Sequence, residues 1–385
     1  MDWRNGRVPM FIHYGGDDVL EVAKQAYLMY FSENGLGLRA FRSLAKFESE
    51  VVEMGLGLLH GGPLARGAMT TGGTESIFLA VKAAHDLAKK RDSSRGKPQI
   101  VMACSAHPAF DKAAHFMGLE TVRTPLQADF RADPAEIEAA ITPHTVMIVG
   151  SVPAYPHGVV DPIGEIAAVA QAHGIWMHVD ACVGGYFAPF AKQLGEAIPD
   201  WDFLVPGVTS ISADLHKYGY AAKGASTLFF RDAESFACMG WTFDNWPRGQ
   251  YFTNTLVGTR PGGAIAAAWA VMKYLGESGY QRVTKRVIAT RYALQSGAAS
   301  LGLPTFGDPK LSILAYGSDQ HNIAAIGVRM TARGWTVGHV TTPPGFHHML
   351  NLTHEPALAN YLNDLAETMV EASASMQDNK LTAQY

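Results

Sequence analysis

Ser212-Ala-Asp-Leu-His-Lys-Tyr-Gly-Tyr-Ala-Ala-Lys-Gly224 places a lysine directly after a histidine. The short run Ile211-Ser-Ala213 leads into it, and a second apolar run, Ser226-Thr-Leu-Phe-Phe230, follows. Lys217 is therefore expected in a turn between two buried strands. A lysine there is costly unless it finds a partner or gives up its charge. One chemical use of such an amine is a Schiff base with an aldehyde cofactor. The plainer reading, a loop lysine reaching solvent, stands beside it at this point, because short motifs match by chance.

The chain around this stretch has 385 residues, enough for one large domain and a smaller one. Hydrophobic residues make up 48% and charged residues 17%, which suits a packed protein and not a disordered one. A net charge of −4 with no long basic run argues against nucleic-acid binding. The histidines show no helical pair beside a carboxylate, so no metal site is expected. Cys104, Cys182 and Cys238 are far apart and not in a C-x-x-C pattern, which reads as reduced thiols in a cytoplasmic protein. The N-terminus has no apolar signal core, and no apolar run approaches membrane-spanning length.

Upstream, helical spacing predicts helices over Asp17–Phe31 and from Phe41 to about Leu59, with the break Asn34-Gly-Leu-Gly37 between them. Gly67-Ala-Met-Thr-Thr-Gly-Gly-Thr-Glu-Ser76 then runs into an amphipathic helix with Thr74 as its expected N-cap. Glycines and hydroxyls at a helix N-terminus suit an anion, although an ordinary tight turn reads the same way. Strands and helices alternate from there. Strands are predicted at Ile100–Cys104, Val146–Gly150, Ile175–Asp180 and Phe203–Pro206, with helices at Pro108–Met117 and Pro162–His173. Unbroken apolar strands predict an α/β fold with a mostly parallel sheet covered by helices, and ligands bind beyond the carboxyl ends of such strands. A long helical region from about Ala264 to Leu301 breaks near Gly276–Gly279. A smaller C-terminal α+β domain follows, containing Ile323–Ile326, as helix or strand, and Trp335–Gly338. It closes with a helix from Pro356 to about Ala372 and a polar, frayed tail. The expected division is an arm and helices over 1–55, a large domain over 56–275 and a small domain over 276–385.

Four features then fall in one α/β domain: Gly72, Gly73 and Thr74 at a helix start, His107 after a strand, Asp180 ending a strand, and the His216–Lys217 pair. Each is weak alone. Together they supply what pyridoxal 5′-phosphate requires: an anion cradle, a flat group over the ring, a carboxylate for the ring nitrogen and an amine for the aldehyde.

Six segments carry a family resemblance: Thr70-Thr-Gly-Gly-Thr-Glu-Ser76, Ala106-His-Pro-Ala-Phe-Asp-Lys-Ala-Ala114, Pro156-His-Gly-Val-Val-Asp161, His178-Val-Asp-Ala-Cys-Val-Gly-Gly185, Ser212–Tyr220 and Gly258-Thr-Arg-Pro-Gly-Gly263. They resemble the sphingosine-1-phosphate lyases, within the group II pyridoxal-phosphate-dependent decarboxylase-like enzymes. The resemblance implies fold type I, with an aminotransferase-like large domain and a homodimer that shares its active sites. It implies that Lys217 binds the cofactor aldehyde, Asp180 pairs with the ring nitrogen and His107 stacks on the ring. Gly72, Gly73, Thr74 and His216 would hold the phosphate, joined by Thr259 of the neighbouring subunit. Lys223 matches a second lysine used near the substrate. The family's N-terminal Asn-Pro-Leu-His is Asn34-Gly-Leu-Gly37 here, without the histidine. His13, with Tyr14 beside it, stands where the lyases have a tyrosine. His13, Tyr14, Asn34 and Lys223 are the expected substrate-end residues. The implied activity is retro-aldol cleavage of a β-hydroxy amine such as sphingosine 1-phosphate to an aldehyde and a smaller amine such as phosphoethanolamine, the alternative being an amino-acid decarboxylase. The chain resembles the soluble bacterial forms, without a membrane anchor.

Overall fold

A computed structural model describes residues 3–37, 39–92 and 96–373. The tail expected to fray lies, from 374 onward, outside the described residues. Two helices open the chain, α1 (Asp17–Met29) and α2 (Arg42–Leu58). Strand β1 (Arg66–Thr70) feeds α3 (Gly73–Arg91), β2 (Gln99–Ala103) feeds α4 (Ala109–Met117), and β3 (Glu120–Thr124) precedes α5 (Pro134–Ala139). Next come β4 (Thr145–Ser151), α6 (Ile163–Ala172), β5 (Trp176–Asp180), α7 (Ala188–Gln193), β6 (Val208–Ala213) and β7 (Ser226–Phe230).

Strands β1 to β7 form one sheet in the order β1-β7-β6-β5-β4-β2-β3. Only β7 opposes its neighbours, pairing antiparallel with both β1 and β6. The remaining pairings are parallel. Side chains alternate across a strand, so each strand serves two cores. Ile100, Met102, Met147 and Val149 pack with α3 and α4 on one face, while Val101, Ala103 and Ile148 pack on the other with Met177, Val179 and Ile211. With both faces covered, β2 is apolar from Ile100 to Ala103 and β4 from Val146 to Val149 instead of alternating, as read from the sequence.

After β7 come α8 (Ala233–Ala237), the hairpin β8 (Trp241–Phe243) and β9 (Tyr251–Thr253), and the long helix α9 (Gly262–Ser300). Gly276, at φ 51° and ψ −172°, interrupts α9 where the glycines predicted a break. The C-terminal region holds β10 (Ile313–Tyr316), α10 (Ile323–Ala332), β11 (Gly338–Thr341), β12 (Pro344–Met349) and α11 (His354–Ser373). Its strands make an antiparallel sheet in the order β10-β12-β11. Ile323–Ile326 is thus helix, and Asn322 Oδ1 caps it by accepting from Ala325 N at 2.9 Å.

Two local expectations need correction. Thr74 is not the N-cap of α3: the cap is Gly72, and the helix starts at Gly73. A Cβ on Gly73 would lie 2.7 Å from Asp214 Oδ2 and 2.8 Å from Cys182 Sγ, so only glycine lets the helix begin this close to the β5 and β6 ends. Phe203–Pro206 is a turn, not a strand. Asp202 Oδ1 accepts from Leu204 N at 2.9 Å, and Gly207 takes φ 90°, so β6 starts only at Val208. Phe203 and Val205 are apolar because they pack into the core from that turn. Finally, β1 and the partly exposed β3 are strands that hydrophobic runs do not announce.

Candidate active site

The carboxyl ends of β4, β5 and β6 open on a cavity of about 440 Å³, within the range of small-molecule sites. Asp180, the last residue of β5, is buried there. Its Oδ1 accepts from Cys182 N at 3.1 Å and Ser212 Oγ at 3.3 Å, which fixes the carboxylate. His107, in the loop after β2, borders the same space, and its Nδ1 accepts from Ala109 N at 3.1 Å. In neutral His107 the proton therefore sits on Nε2. Burial disfavours charge on this ring and Asp180 offsets that only in part, so its pKa lies below the ordinary value.

Lys217 lies in the turn from β6 to β7, with 23% of its side chain exposed. Tyr220 N donates to Lys217 O at 3.0 Å, Tyr218 Oη to Leu350 O at 2.7 Å, and Tyr280 Oη to Gly219 O at 3.0 Å. A Cβ on Gly219 would come within 2.5 Å of Leu215 O, so the tightness of the turn requires glycine. Lys217 Nζ sits 3.0 Å from Asp214 Oδ2. Burial opposes charge on the amine, but Asp214 overrides it, supported by Cys182 and Asp180, and the pKa is held well above the ordinary lysine value. His216 Nε2 is 3.6 Å from the same oxygen.

The start of α3 forms the opposite wall through Thr71, Gly72, Gly73, Thr74 and Glu75. First-turn N–H groups have no helical acceptor, and no side chain caps them at Gly72. The hydroxyls of Thr70 and Ser76 (2.7 Å) and of Ser76 and Ser226 (2.9 Å) bond in the buried space between α3 and β7, which locks the helix start to the sheet. Glu75 ties Thr71 N, at 2.6 Å, to Leu256 N, at 2.9 Å, in the segment leading to Thr259.

The N-terminal arm closes one side. Its backbone oxygens accept from the C-terminal region: Arg7 O from Thr336 N at 2.8 Å, Pro9 O from Met349 N at 2.7 Å and Ile12 O from Asn351 Nδ2 at 3.0 Å. This brings His13 to the cavity wall, where its Nδ1 lies 3.4 Å from Lys223 Nζ and its Nε2 is buried without a partner among the described residues. Lys223 also donates to His216 O at 2.9 Å.

Gly72, Gly73, Thr74, His107, Asp180, His216, Lys217 and His13 thus meet at one cavity, with Lys223 behind His13. Tyr14, Asn34 and Thr259 do not reach it within one chain. Tyr14 packs edge-on against Trp3. Asn34 Oδ1 accepts from Gly37 N at 2.9 Å, holding its own turn. Thr259 is exposed beside the buried Arg260. Asp214 was missed by sequence reasoning, because only the fold shows this acid buried against the lysine. Cys182, Glu75 and Tyr155 also line the cavity and carried no signal of their own.

Residues 44–300 match the family model described as the pyridoxal-dependent decarboxylase conserved domain. Mouse sphingosine-1-phosphate lyase 1 is 38% identical over 96% of this chain and 65% of its own length. The Arabidopsis thaliana sphingosine-1-phosphate lyase is 38% identical over 96% of this chain and 70% of its own. The chain belongs to the sphingosine-1-phosphate lyase family of pyridoxal-dependent decarboxylase proteins. The solved structure of a Burkholderia pseudomallei sphingosine-1-phosphate lyase superposes with a TM-score of 0.93 at 34% identity, covering 97% of this chain and 87% of that one. The chain spans about two thirds of the length of the mouse relative. The cofactor of the family is pyridoxal 5′-phosphate, and the cavity fits it. An uncapped helix start suits the phosphate, a fixed carboxylate suits a pyridinium, and a lysine amine reaches the same space. Among the described residues no helix is long and apolar enough to cross a membrane.

Proposed function

We propose that this chain is a pyridoxal-phosphate-dependent carbon–carbon lyase that cleaves a phosphorylated β-hydroxy amine such as sphingosine 1-phosphate to an aldehyde and a smaller amine such as phosphoethanolamine. The observation that carries the reading is the convergence of Lys217, Asp180, His107 and the α3 start on one cavity, in a chain 34% identical over 97% of its length to a solved protein of that name. When bound, the cofactor supplies a ring that draws electrons from a bond at the substrate's α-carbon. Asp180, held by Cys182 N and Ser212 Oγ, sets a carboxyl group where the ring nitrogen would need a partner for its proton. Lys217 provides the amine, Gly72, Gly73, Thr74 and His216 hold the phosphate, and His107 covers the ring. His13 and Lys223 face the substrate end.

We propose further that two copies share their sites in the cytoplasm, that Thr259 serves the partner's phosphate cradle, and that Tyr14 and Asn34 act near the partner's substrate. Thr259 lies outside its own cavity, and the neighbouring hairpin exposes Trp241, Phe243 and Phe252, apolar surface that a second copy would cover. The three cysteines are unpaired, which suits a reducing compartment. The break at Gly276 supports a division into a large and a small domain there.

The test is product analysis with sphingosine 1-phosphate and pyridoxal phosphate. A long-chain aldehyde together with phosphoethanolamine is the expected result. Carbon dioxide released from an amino acid, with no aldehyde, would move the assignment to the decarboxylases for which the family model is described. Lys217→Ala should lower turnover by about 10³-fold or more and abolish the visible absorbance of lysine-bound cofactor. Full activity in that variant would end the assignment.

A further inference from the structure

Pyridoxal chemistry needs an uncharged amine, yet Lys217 is held as an ammonium. The cause is geometric. Asp214 is 1% exposed in its side chain, directly follows β6, and points Oδ2 at Lys217 Nζ across 3.0 Å. Its other oxygen, Oδ1, has no hydrogen-bond partner among the described residues. The carboxylate also sits against the start of α3, where an added Cβ on Gly73 would meet both of its oxygens within 2.9 Å. A helix N-terminus favours an anion there. Burial pushes the Asp214 carboxyl up, and Lys217 with His216 more than offsets this, so it stays ionised.

We propose that Asp214 is a positioning residue that sets the charge of Lys217, and that it thereby makes capture of the aldehyde cofactor depend on pH. The proposal rests on Lys217 being the cofactor-binding lysine. Other charged or titratable groups face this amine from each surrounding element. Asp180 and Cys182 lie at the end of β5, His107 after β2, His216 and Lys223 in the same turn, and His13 on the arm. Lys223 disfavours a charged lysine, and of the two carboxylates Asp214 is the one that pairs with Nζ. Asp214 is therefore the group that keeps the amine protonated. Without its charge, burial and the neighbouring Lys223 would turn Lys217 neutral at lower pH.

The experiment uses Asp214→Asn, close in shape, with Asp214→Glu as the charge-conserving control. Two readouts are followed against pH. The first is acetylation of Lys217 in cofactor-free protein, resolved by peptide mass spectrometry. The second is the rate at which added pyridoxal phosphate gains lysine-bound absorbance. In the wild type, Lys217 should acetylate with a midpoint above that of the exposed lysines. In Asp214→Asn both profiles should move to lower pH, with about tenfold or greater acceleration near neutrality, equivalent to one pH unit. Asp214→Glu should stay near the wild type. Coincident profiles for wild type and Asp214→Asn overturn the proposal, as does a wild-type Lys217 that acetylates like an exposed lysine, a result that needs no variant to fold. If the wild-type protein gains no lysine-bound absorbance and Lys217→Ala binds the cofactor equally well, the reading of Lys217 itself has failed, and that outcome is separate from coincident profiles.

Discussion

The two ends of the cavity are built differently. At the cofactor end, Asp180, Asp214 and Lys217 project from the ends of β5 and β6 or the turn beyond, and α3 is pinned to β7 through the Ser76–Ser226 hydroxyl contact. Each side chain there has its position set by the sheet and by a hydrogen bond. At the substrate end, His13 is carried on an arm that has no sheet of its own, held by backbone bonds to the C-terminal region. The comparison gives a physical reason for what the resemblance implies, a full cofactor set at one end and His13 in place of a tyrosine at the other. Residues on strand ends cannot change without disturbing a packed core, whereas an arm residue can change with little cost to the fold.

The difference predicts unequal effects, the largest at the sheet. Asp180→Asn keeps the shape and removes the charge, so turnover should fall on the order of 10²–10³-fold with cofactor still retained by the α3 start. Cofactor content by absorbance and kcat together check this. Unchanged kcat would show that the fixed carboxylate does not act on the ring. A second test concerns stability. His178, under the site on β5, and His347, on β12, are fully buried and have their pKa values pushed down to about 4, by burial first. A depressed histidine binds fewer protons folded than unfolded. Stability should therefore fall as pH drops from about 6.5 towards 4, by about 3 kcal/mol for each ring. Urea midpoints across that range read the loss. His178→Gln should flatten the slope, and an equal slope in the variant would remove His178 from the account.

What could be read in the sequence follows the same division. The sheet, its central strands and the Gly276 break were legible because burial on both faces and a glycine pair leave marks in local pattern. Lys217, Asp180 and His107 were legible because each follows such a strand. Strand β3 was not, because it lies at the sheet edge with polar, half-exposed residues. Phe203–Pro206 misled because apolar side chains can be buried from a turn as well as from a strand. Asp214 was passed over because its importance is relational: nothing local distinguishes a carboxylate 3.0 Å from a lysine from one facing solvent. Tyr14, Asn34 and Thr259 came only from resemblance, and one chain does not bring them to the cavity.

The smallest effect is expected at the arm, and it sharpens the comparison most. Lys223 Nζ lies 3.4 Å from His13 Nδ1. His13 Nε2 is buried with no hydrogen-bond partner among the described residues, on a side chain that borders the cavity. Burial, then Lys223, Lys217 and His216, holds the His13 pKa well below its ordinary value, so the ring stays neutral through the physiological range. His13 is thus a neutral polar ring at the cavity, able to hydrogen-bond a substrate oxygen as a tyrosine hydroxyl would. His13→Phe should raise KM about tenfold, the worth of one hydrogen bond, with kcat and cofactor absorbance nearly unchanged. His13→Tyr should restore KM. A loss of cofactor in His13→Phe, or a fall in kcat matching that of Asp180→Asn, would mean that the arm belongs to the cofactor machinery and that the two ends of the cavity are one.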